Sequence, residues 1–299
     1  MLVEKKRMLN SARITCDFLG LKAGDTALLC MSLDYIAGKM MVVRAIERGM
    51  KLTVQEPTGH PLRIRNEEFE IRNYDFSFSA MVPLQVYNSL QVAEERERLM
   101  QIKHLIIGGG AIDDSLAAEL KGLPNAVWST YGMTETLSHI ALRRLSGPDA
   151  SEWYTPFSSV EVSLSEDDCL VIDAPEVCPE RLVTNDIAVL EHTADGVRFR
   201  IIGRKDNTIC SGGIKIQAEE VEKSLRPYLN SPFLISKRKD VKFGEIVVLL
   251  TEGSTSEARG ICERILPKLY HPRAYVHVDR IPLTATGKPA RKEAEKLCG

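Results

Sequence analysis

The chain has 299 residues, of which 44% are hydrophobic and 27% charged, the balance of an ordinary globular protein. Its formal net charge of −2 provides no basic field, which argues against a nucleic-acid partner and against an anionic membrane surface. A chain of this length predicts about two domains.

The cysteine pattern and the N-terminus indicate a cytoplasmic protein. Seven cysteines, an odd number with no C-x-x-C spacing, favour a reduced setting over a disulfide framework. Residues 1–13 are charged and lack the apolar core of a signal peptide. The most apolar stretch, residues 27–43, contains Asp34 and Lys39 and falls short of the roughly 20 apolar residues that a membrane helix needs. We therefore expect neither a signal peptide nor a membrane span.

In chain order, the first 140 residues alternate between helical and strand patterns. We expect helices within residues 3–19, 38–48 and 113–121, with another opening at Pro83. Strands are expected at residues 27–31, 51–55, 76–81, 104–107 and 127–128. This alternation predicts an α/β sheet with substantial parallel pairing.

The pattern changes after residue 148. Short strands are expected at residues 160–164, 169–172, 187–191 and 197–202, and Asp195-Gly196 is a hairpin signal. Beyond residue 206 we expect a strand, a helix at 218–225, a strand at 245–251, a helix at 256–269, a strand at 274–278 and a polar tail. The fold class is therefore α/β, with a large domain of α/β layers plus a small β-rich subdomain over residues 1–205. A small, mobile α+β domain follows over residues 206–299.

Four short segments contain side chains suited to nucleotide chemistry. They are Gly109-Gly110-Ala111, the run Tyr131-Gly132-Met133-Thr134-Glu135-Thr136, Thr184-Asn185-Asp186 followed by Gly203-Arg204-Lys205-Asp206, and Thr286-Gly287-Lys288. Glycines after a strand let a flat base lie against the backbone, although a tight strand-to-helix turn explains them as well. Tyr131 offers a stacking face and Thr134 a hydroxyl for a phosphate oxygen.

The charged residues of these segments each have an alternative explanation. Glu135 offers a hard oxygen ligand for Mg²⁺, or a charge that favours a helix N-terminus. Asp186, at an expected strand start, suits ribose hydroxyls, or lies in a surface turn. Lys288 offers a mobile ammonium that would lower a barrier between negative groups, or is a solvated tail lysine like Lys292.

The ordered set of segments resembles the adenylate-forming superfamily of acyl-CoA synthetases, luciferases and peptide-synthetase adenylation domains, over nearly the whole chain. The resemblance implies an ATP-dependent, AMP-forming acid–thiol ligase that uses Mg²⁺ and coenzyme A. For the nucleotide site it implies adenine binding by Gly109, Gly110, Ala111, Tyr131 and Gly132, and ribose contacts by Asp186 and Arg204. For catalysis it implies phosphate and Mg²⁺ contacts by Thr134 and Glu135, and Lys288 as the adenylation lysine. For the second step it implies a hinge at Asp206 and a pantetheine tunnel at Ser211, Gly212 and Gly213.

The acid substrate is indicated by three further segments. Residues 32–38 with Arg44, residues 79–85 and residues 131–139 look like the o-succinylbenzoate–CoA ligases of menaquinone biosynthesis. This resemblance implies a substrate pocket with Tyr35, Arg44, Gln85 and His139. Arg44 would pair with the second carboxylate of a dicarboxylic acid, because a guanidinium fork matches a carboxylate, or it is an ordinary helix-surface arginine.

One departure from the superfamily concerns its phosphate loop. The Ser/Thr/Gly-rich loop with its following Pro-Lys is not found in this sequence, and residues 1–7 resemble the sequence that lies just after it. We expect the chain as given to adenylate poorly or not at all while still binding AMP.

Two alternatives to an o-succinylbenzoate–CoA ligase stay open. One is an aryl- or fatty-acyl-CoA ligase with the same chemistry. The other is a catalytically impaired nucleotide-binding module. A homodimer is a further expectation that the sequence does not decide.

Overall fold

The computed structural model of the chain describes residues 3–63, 75–110, 112, 114–284 and 289–299. The chain divides into two compact units, each built from several segments. The first unit comprises Met1–Ser163, Val171–Leu182 and Leu190–Arg200, and the second comprises Leu164–Leu170, Val183–Val189 and Ile201–Gly299. This division does not test the domain boundary expected between residues 205 and 206, which stays a prediction.

The first unit contains the α/β layers that the sequence predicts. Its helices are α1 (Lys5–Leu19), α2 (Ile36–Arg48), α3 (Pro83–Leu90), α4 (Ala93–Gln101) and α5 (Asp114–Lys121). Its main strands are β1 (Thr26–Leu29), β2 (Lys51–Val54), β3 (Phe78–Met81), β4 (His104–Ile107), β5 (Ala126–Gly132), β6 (His139–Arg144) and β7 (Thr155–Pro156). Gly20 and Gly49 follow α1 and α2 with φ of +65°, a conformation that ends a helix at little steric cost to glycine.

These seven strands form one sheet in the order β2-β1-β3-β4-β5-β6-β7. Pairing is parallel from β2 through β5 and antiparallel from β5 to β7. Because β1, β3 and β4 are parallel, their carboxyl ends meet at one edge, where Ile107 lies opposite both Met81 and Ser129. The loops that follow these strands therefore gather at the edge where α/β proteins bind ligands.

A second sheet follows in the order β11-β10-β9-β8. Its strands are β8 (Glu161–Leu164), β9 (Cys169–Asp173), β10 (Leu182–Thr193) and β11 (Gly196–Arg204). The expected hairpin at Asp195-Gly196 is confirmed, since β10 ends two residues before Asp195 and β11 begins at Gly196. Asp186 was expected at a strand start and instead lies inside the twelve residues of β10.

The second unit is α+β, as expected beyond residue 206. It contains β12 (Thr208–Ser211), β13 (Ile214–Gln217), β14 (Phe233–Asp240), β15 (Gly244–Thr251), β16 (Ala274–His277), α6 (Ala218–Leu225), α7 (Thr255–Ile265) and α8 (Arg291–Lys296). The sheet order is β13-β12-β15-β14, with β16 parallel to β15. Three elements of this unit were not predicted from the sequence: one of the two strands β12 and β13, because a single strand was expected before α6; strand β14; and helix α8 within the polar tail.

Each unit has its own apolar core. Leu28, Met81, Leu105 and Val127 belong to the cluster beside the parallel strands of the first unit. Two clusters of the second unit cover opposite faces of its sheet and include, on alternating positions of β15, Val247 and Leu249 in one and Val248 and Leu250 in the other. All seven cysteines are free. No helix in the described part of the chain combines the length and apolar character that crossing a membrane requires.

Candidate active site

The glycine loop after β4 owes its composition to close packing. Gly109 has φ of +79°, and a Cβ on Gly108 would lie 2.6 Å from Thr130 Oγ1 of β5. A side chain is therefore excluded at Gly108, and the left-handed conformation favours glycine at the next position. Both the tight-turn explanation and an exposed backbone for a base remain compatible with this loop. Ala111 lies outside the described residues.

Tyr131 lies at the end of β5 in an aromatic cluster. Its ring centroid is 5.7 Å from that of Tyr154 and 5.1 Å from that of Phe199, and the last two rings are stacked at 5.5 Å. Ser129 Oγ and Tyr154 Oη are 2.9 Å apart and share a hydrogen bond. These contacts fix the orientation of the half-buried Tyr131 ring.

The loop between β5 and β6 exposes two of the expected site residues. Thr136 is buried, and its hydroxyl accepts from Met133 N at 3.0 Å and donates to Ser138 O at 2.7 Å. Thr134 and Glu135 are exposed, and neither side chain makes a hydrogen bond or an ion pair within the described part of the chain. Thr136 therefore stabilises the loop through its hydrogen bonds, while the side chains of Thr134 and Glu135 are accessible to a ligand.

Gly132 is required by the same loop. A Cβ at this position would lie 2.3 Å from Ser138 O and 2.5 Å from His139 Cα. The backbone therefore doubles back closely at the β-bulge between Tyr131 and Gly132.

Arg44, the cation among the expected pocket residues, is buried. Its side chain is only 2% exposed, which rules out the helix-surface alternative. Nη2 donates to Ser138 Oγ at 2.8 Å, and Nε is buried without a hydrogen-bond partner. No carboxylate of the described residues pairs with it, and burial lowers the pKa of the guanidinium to about 10.

His139 lies beside this guanidinium at the start of β6. It is 8% exposed, with Nε2 3.1 Å from Thr15 Oγ1 and Nδ1 3.2 Å from Ser138 Oγ. Burial, with a smaller contribution from Arg44, holds the pKa of His139 well below its usual range, so the ring is neutral near pH 7. The sequence offered no signal for Thr15, and Ser138 had no assigned role within the expected segment 131–139.

Gln85 and Tyr35 occupy contrasting places. The Gln85 amide is buried and saturated: Nε2 donates to Cys30 O and Thr58 O, both at 2.9 Å, and Oε1 accepts from Val82 N at 3.1 Å. Gln85 therefore ties together the loops at the carboxyl edge of the sheet. Tyr35 precedes α2 and is 72% exposed.

In the second unit, Asp186 and Arg204 form an ion pair. Arg204 Nη1 lies 3.1 Å from Asp186 Oδ1, and Arg204 Nη2 lies 3.8 Å from Asp206 Oδ2. Asp206 belongs to a single turn of 3₁₀ helix, Lys205–Asn207, directly after β11. The expected ribose and hinge residues are therefore neighbours.

Ser211, Gly212 and Gly213 form the turn of the β12–β13 hairpin. Gly212 and Gly213 have φ of +59° and +84°, and a Cβ on Gly212 would lie 3.3 Å from the ring of Phe243. A hairpin turn explains these residues structurally, and the expected tunnel remains a prediction.

Lys288 lies outside the described residues, together with the rest of residues 285–288. The residues on either side are tied to each other, since Leu283 pairs with Pro289 and Ala290 N donates to Pro282 O at 2.8 Å. Thr134 and Glu135 belong to the first unit, whereas Asp186, Arg204 and Asp206 belong to the second. Their meeting at one nucleotide stays a prediction.

Comparison with known proteins identifies the family. The family model described as AMP-binding enzyme matches residues 2–181, more than half of the chain. The chain belongs to the AMP-binding enzyme family.

Curated relatives of this AMP-binding family member include 2-succinylbenzoate–CoA ligases. The protein of Lactococcus lactis is 24% identical over 305 residues, which cover 95% of this chain and 65% of the relative. The protein of Bacillus subtilis is 24% identical over 312 residues, which cover 92% of this chain and 61% of the relative. The chain thus spans less than two thirds of the length of either.

Solved structures agree with this family assignment. An acyl-CoA synthetase (AMP-forming)/AMP-acid ligase II-like protein from Dyadobacter fermentans is 30% identical, with a TM-score of 0.65 and coverage of 99% of this chain and 85% of the other. The o-succinylbenzoate CoA synthetase of Bacillus subtilis in complex with its acyl-adenylate intermediate is 20% identical, with a TM-score of 0.77 and coverage of 98% and 65%. At that identity the second likeness concerns the fold alone.

The expectation that Glu135 binds Mg²⁺ in this AMP-binding family member stays a prediction. Within the described ranges, no group of three or more His, Cys, Asp or Glu side chains is arranged to hold a metal ion. A single exposed carboxylate fits Mg²⁺ nonetheless, because this ion takes one or two protein carboxylates and completes its shell with phosphate oxygens and water.

Proposed function

We propose that this chain is an AMP-forming acyl-CoA ligase whose acid carries a second carboxylate, with o-succinylbenzoate as the substrate that fits best. The reaction has two steps: the acid attacks the α-phosphorus of ATP and releases pyrophosphate, and the thiol of coenzyme A then displaces AMP from the acyl carbon. Family membership supports the reaction class, and Arg44 supports the choice of acid.

The observation that carries the substrate choice is a buried guanidinium without a carboxylate. Moving a cation out of water into a protein interior costs several kcal/mol unless a partner compensates it. Four residues along the same helix, Arg48 has such partners, with Asp17 at 2.6 Å and Glu47 at 3.3 Å. Arg44 has none in the described part of the chain, and a carboxylate brought by the substrate would supply it.

The other expected site residues suit the adenylate and coenzyme A. Thr134 would donate to a phosphate oxygen and Glu135 would hold Mg²⁺, which when bound offsets the charge of the phosphates. Asp186 and Arg204 would contact the ribose, and Lys288 would bridge the acid and the α-phosphate during adenylation. Asp206 would be the hinge for the second step, with Ser211, Gly212 and Gly213 along the pantetheine path. These assignments rest on the family resemblance and stay proposals.

The reaction is tested through its second step, which requires neither pyrophosphate nor the β- and γ-phosphates of ATP. The purified chain is mixed with coenzyme A and either of two preformed acyl adenylates. One derives from o-succinylbenzoate, and the other from 3-benzoylpropionate, which is the same acid without the ring carboxylate. We expect coenzyme A thioester and AMP from both. Failure to form either thioester would overturn the proposed ligase.

The substrate choice is tested by Arg44→Met, which removes the charge and keeps much of the volume. Wild-type protein should prefer the o-succinylbenzoate adenylate in kcat/KM by about 10- to 100-fold, the value of a hydrogen bond to a charged group. In Arg44→Met this ratio should fall close to one, chiefly through loss of activity with the dicarboxylic compound. The matched control Arg48→Met removes an arginine of the same helix that already has carboxylate partners, and it should retain the ratio. A wild-type ratio near one would disprove the dicarboxylic substrate and leave the ligase chemistry intact.

A further inference from the structure

A chain of hydrogen bonds connects Arg44 to the backbone of α1. Arg44 Nη2 contacts Ser138 Oγ at 2.8 Å, and Ser138 Oγ contacts His139 Nδ1 at 3.2 Å. His139 Nε2 contacts Thr15 Oγ1 at 3.1 Å, and Thr15 Oγ1 donates to Ser11 O at 3.0 Å. Ser138 is half-buried, and all other members are at most 8% exposed, so water does not compete with the bonds from His139 to Thr15 and from Thr15 to Ser11. The contacts join residues up to 124 positions apart.

The direction of every bond in this chain follows from the number of hydrogens available. A threonine hydroxyl has one hydrogen, and that of Thr15 is used on Ser11 O. Thr15 can therefore only accept from His139, which makes Nε2 the protonated nitrogen of the ring. A neutral imidazole then accepts at Nδ1, so Ser138 donates its hydrogen there. Ser138 is left with its lone pairs for Arg44, which has only donors.

The other neutral tautomer would disrupt this arrangement. With hydrogen on Nδ1, His139 would donate to Ser138, which would then use one of its two lone pairs on His139 and keep a single one for Arg44, while its own hydrogen lost the acceptor at Nδ1. The hydrogen of Thr15 is already engaged, so Nε2 would also lose its partner. Unsatisfied buried polar groups of this kind are unfavourable. The acceptor at Thr15 is thus what selects the tautomer that supports Arg44.

We infer that Thr15 is a positioning residue for the acid-binding guanidinium: it selects the Nε2–H tautomer of His139, which aims the lone pairs of Ser138 at Arg44 Nη2. The functional part of this inference rests on the proposed function, in which Arg44 receives the second carboxylate of the acid. Since Nη2 is anchored and Nε is buried without a partner, the guanidinium is held with unused donors for an incoming carboxylate. Loss of the Thr15 hydroxyl should therefore weaken selection of the dicarboxylic acid without removing any group that touches it.

The tautomer is measured without substrate, by long-range ¹H–¹⁵N NMR correlations of the histidine rings, with His139→Gln used to assign the signal. Wild-type protein should show His139 neutral and protonated at Nε2. Thr15→Val should move the hydrogen to Nδ1, and Thr15→Ser, which keeps a hydroxyl, should restore Nε2–H. In the same samples the Arg44 Nε–H signal should exchange with water faster in Thr15→Val than in the wild type. A wild-type Nδ1–H tautomer, or an unchanged Arg44 signal in Thr15→Val, would overturn the inference.

The kinetic part compares the two acyl adenylates. Thr15→Val should lower the preference for the o-succinylbenzoate adenylate by about tenfold, through kcat/KM for that compound alone, and Thr15→Ser should recover it. Thr26→Val removes another threonine hydroxyl of the first unit and should keep the wild-type preference. An equal loss with both adenylates would indicate a merely structural role and refute the positioning role. If the wild-type protein shows no preference, the proposed substrate fails, and the NMR measurements still decide whether Thr15 orients Arg44.

Discussion

At the residue scale, the two arginines of α2 show how position decides chemistry. Arg48 is the last residue of α2 and forms ion pairs with Asp17 and Glu47. Arg44, one turn earlier, is enclosed by α1 and the start of β6, and its neighbours Ser138, His139 and Cys16 are uncharged. Burial raises the pKa of the Cys16 thiol to about 11, so this cysteine supplies no counter-charge near pH 7. A guanidinium in such surroundings costs stability unless a partner compensates its charge, which the proposed substrate carboxylate would do.

The buried, neutral His139 predicts a dependence of stability on pH. Its pKa is lowered in the folded state, so the unfolded chain binds more protons at acidic pH. The stabilisation is therefore complete above the unfolded pKa of about 6.5 and is lost as the pH falls below it, by at most about 1.4 kcal/mol per pH unit. Urea unfolding at pH 7.5, 6.5 and 5.5 measures this, followed by the fluorescence of the two tryptophans, Trp128 and Trp153, which both belong to the first unit.

In His139→Gln the free energy of unfolding should vary less with pH than in the wild type. Part of the slope should remain, because burial also lowers the pKa of His104, with contributions from Lys103 and Arg144. His192→Gln replaces an exposed histidine on β10 and should leave the slope unchanged. Equal slopes in the wild type and His139→Gln would contradict a neutral His139 in the folded protein.

At the scale of elements, a buried ion pair ties helix α8 to α6 and β14 within the second unit. Arg291 donates to both oxygens of Glu222 on α6, at 3.0 and 2.8 Å, and to Ile235 O of β14 at 3.1 Å. Glu222 is 6% exposed and also accepts from Ile235 N at 2.9 Å. The pair therefore fixes the chain just after residues 285–288, where the expected adenylation lysine lies.

Breaking this pair from the arginine side should destabilise the second unit. Arg291→Met leaves the Glu222 carboxylate buried without its cation, which costs about 3–5 kcal/mol. Burial already raises the pKa of Glu222 although Arg291 opposes it, and without Arg291 the pKa should rise further. Because a carboxyl group with a raised pKa destabilises the folded state more as the pH rises, the defect should shrink at acidic pH.

Urea unfolding followed by circular dichroism at pH 5 and pH 8 measures both effects. The control Arg226→Met removes an exposed arginine directly after α6, the helix that contains Glu222. It should change the free energy of unfolding by no more than about 0.5 kcal/mol. A defect in Arg291→Met that is small, or that grows as the pH falls, would argue against this role of the pair.

At the scale of the whole molecule, the chain consists of two compact units with separate apolar cores. Chains of several units commonly unfold in more than one step, because each core is lost independently. We expect two calorimetric transitions. Tryptophan fluorescence should follow only the transition of the first unit, whereas circular dichroism should follow both.

Substitutions in each unit assign the two transitions. Gly132→Ala places a Cβ 2.3 Å from Ser138 O and should lower only the transition seen by fluorescence. Arg291→Met should lower only the other. A single transition in which fluorescence and circular dichroism coincide, and which both substitutions shift equally, would show that the two units unfold together.

Most elements of the first unit were predictable because their signals are local. An apolar run between turn residues predicts a buried strand, and Gly49 after a periodic segment predicts the end of α2. Strand β14 was missed because its second half is the charged run Lys237 to Asp240, and α8 because its only buried residue is Ala294. In both cases contacts with distant segments stabilise an element whose own pattern is ambiguous.

The sequence by itself determined the family and the order of the chemical segments. Each segment is recognised from residue types a few positions apart, and this information does not depend on how the chain folds. The sequence also indicated Arg44, though without deciding between surface and interior. Only the tertiary structure decided that Arg44 is buried without a carboxylate, that Asp186 lies within a strand, and that Thr15 and Ser138 hold His139 between them. The physical reason is that burial and hydrogen-bond direction depend on groups up to 124 residues apart, which meet only when α1, α2 and β6 are packed together.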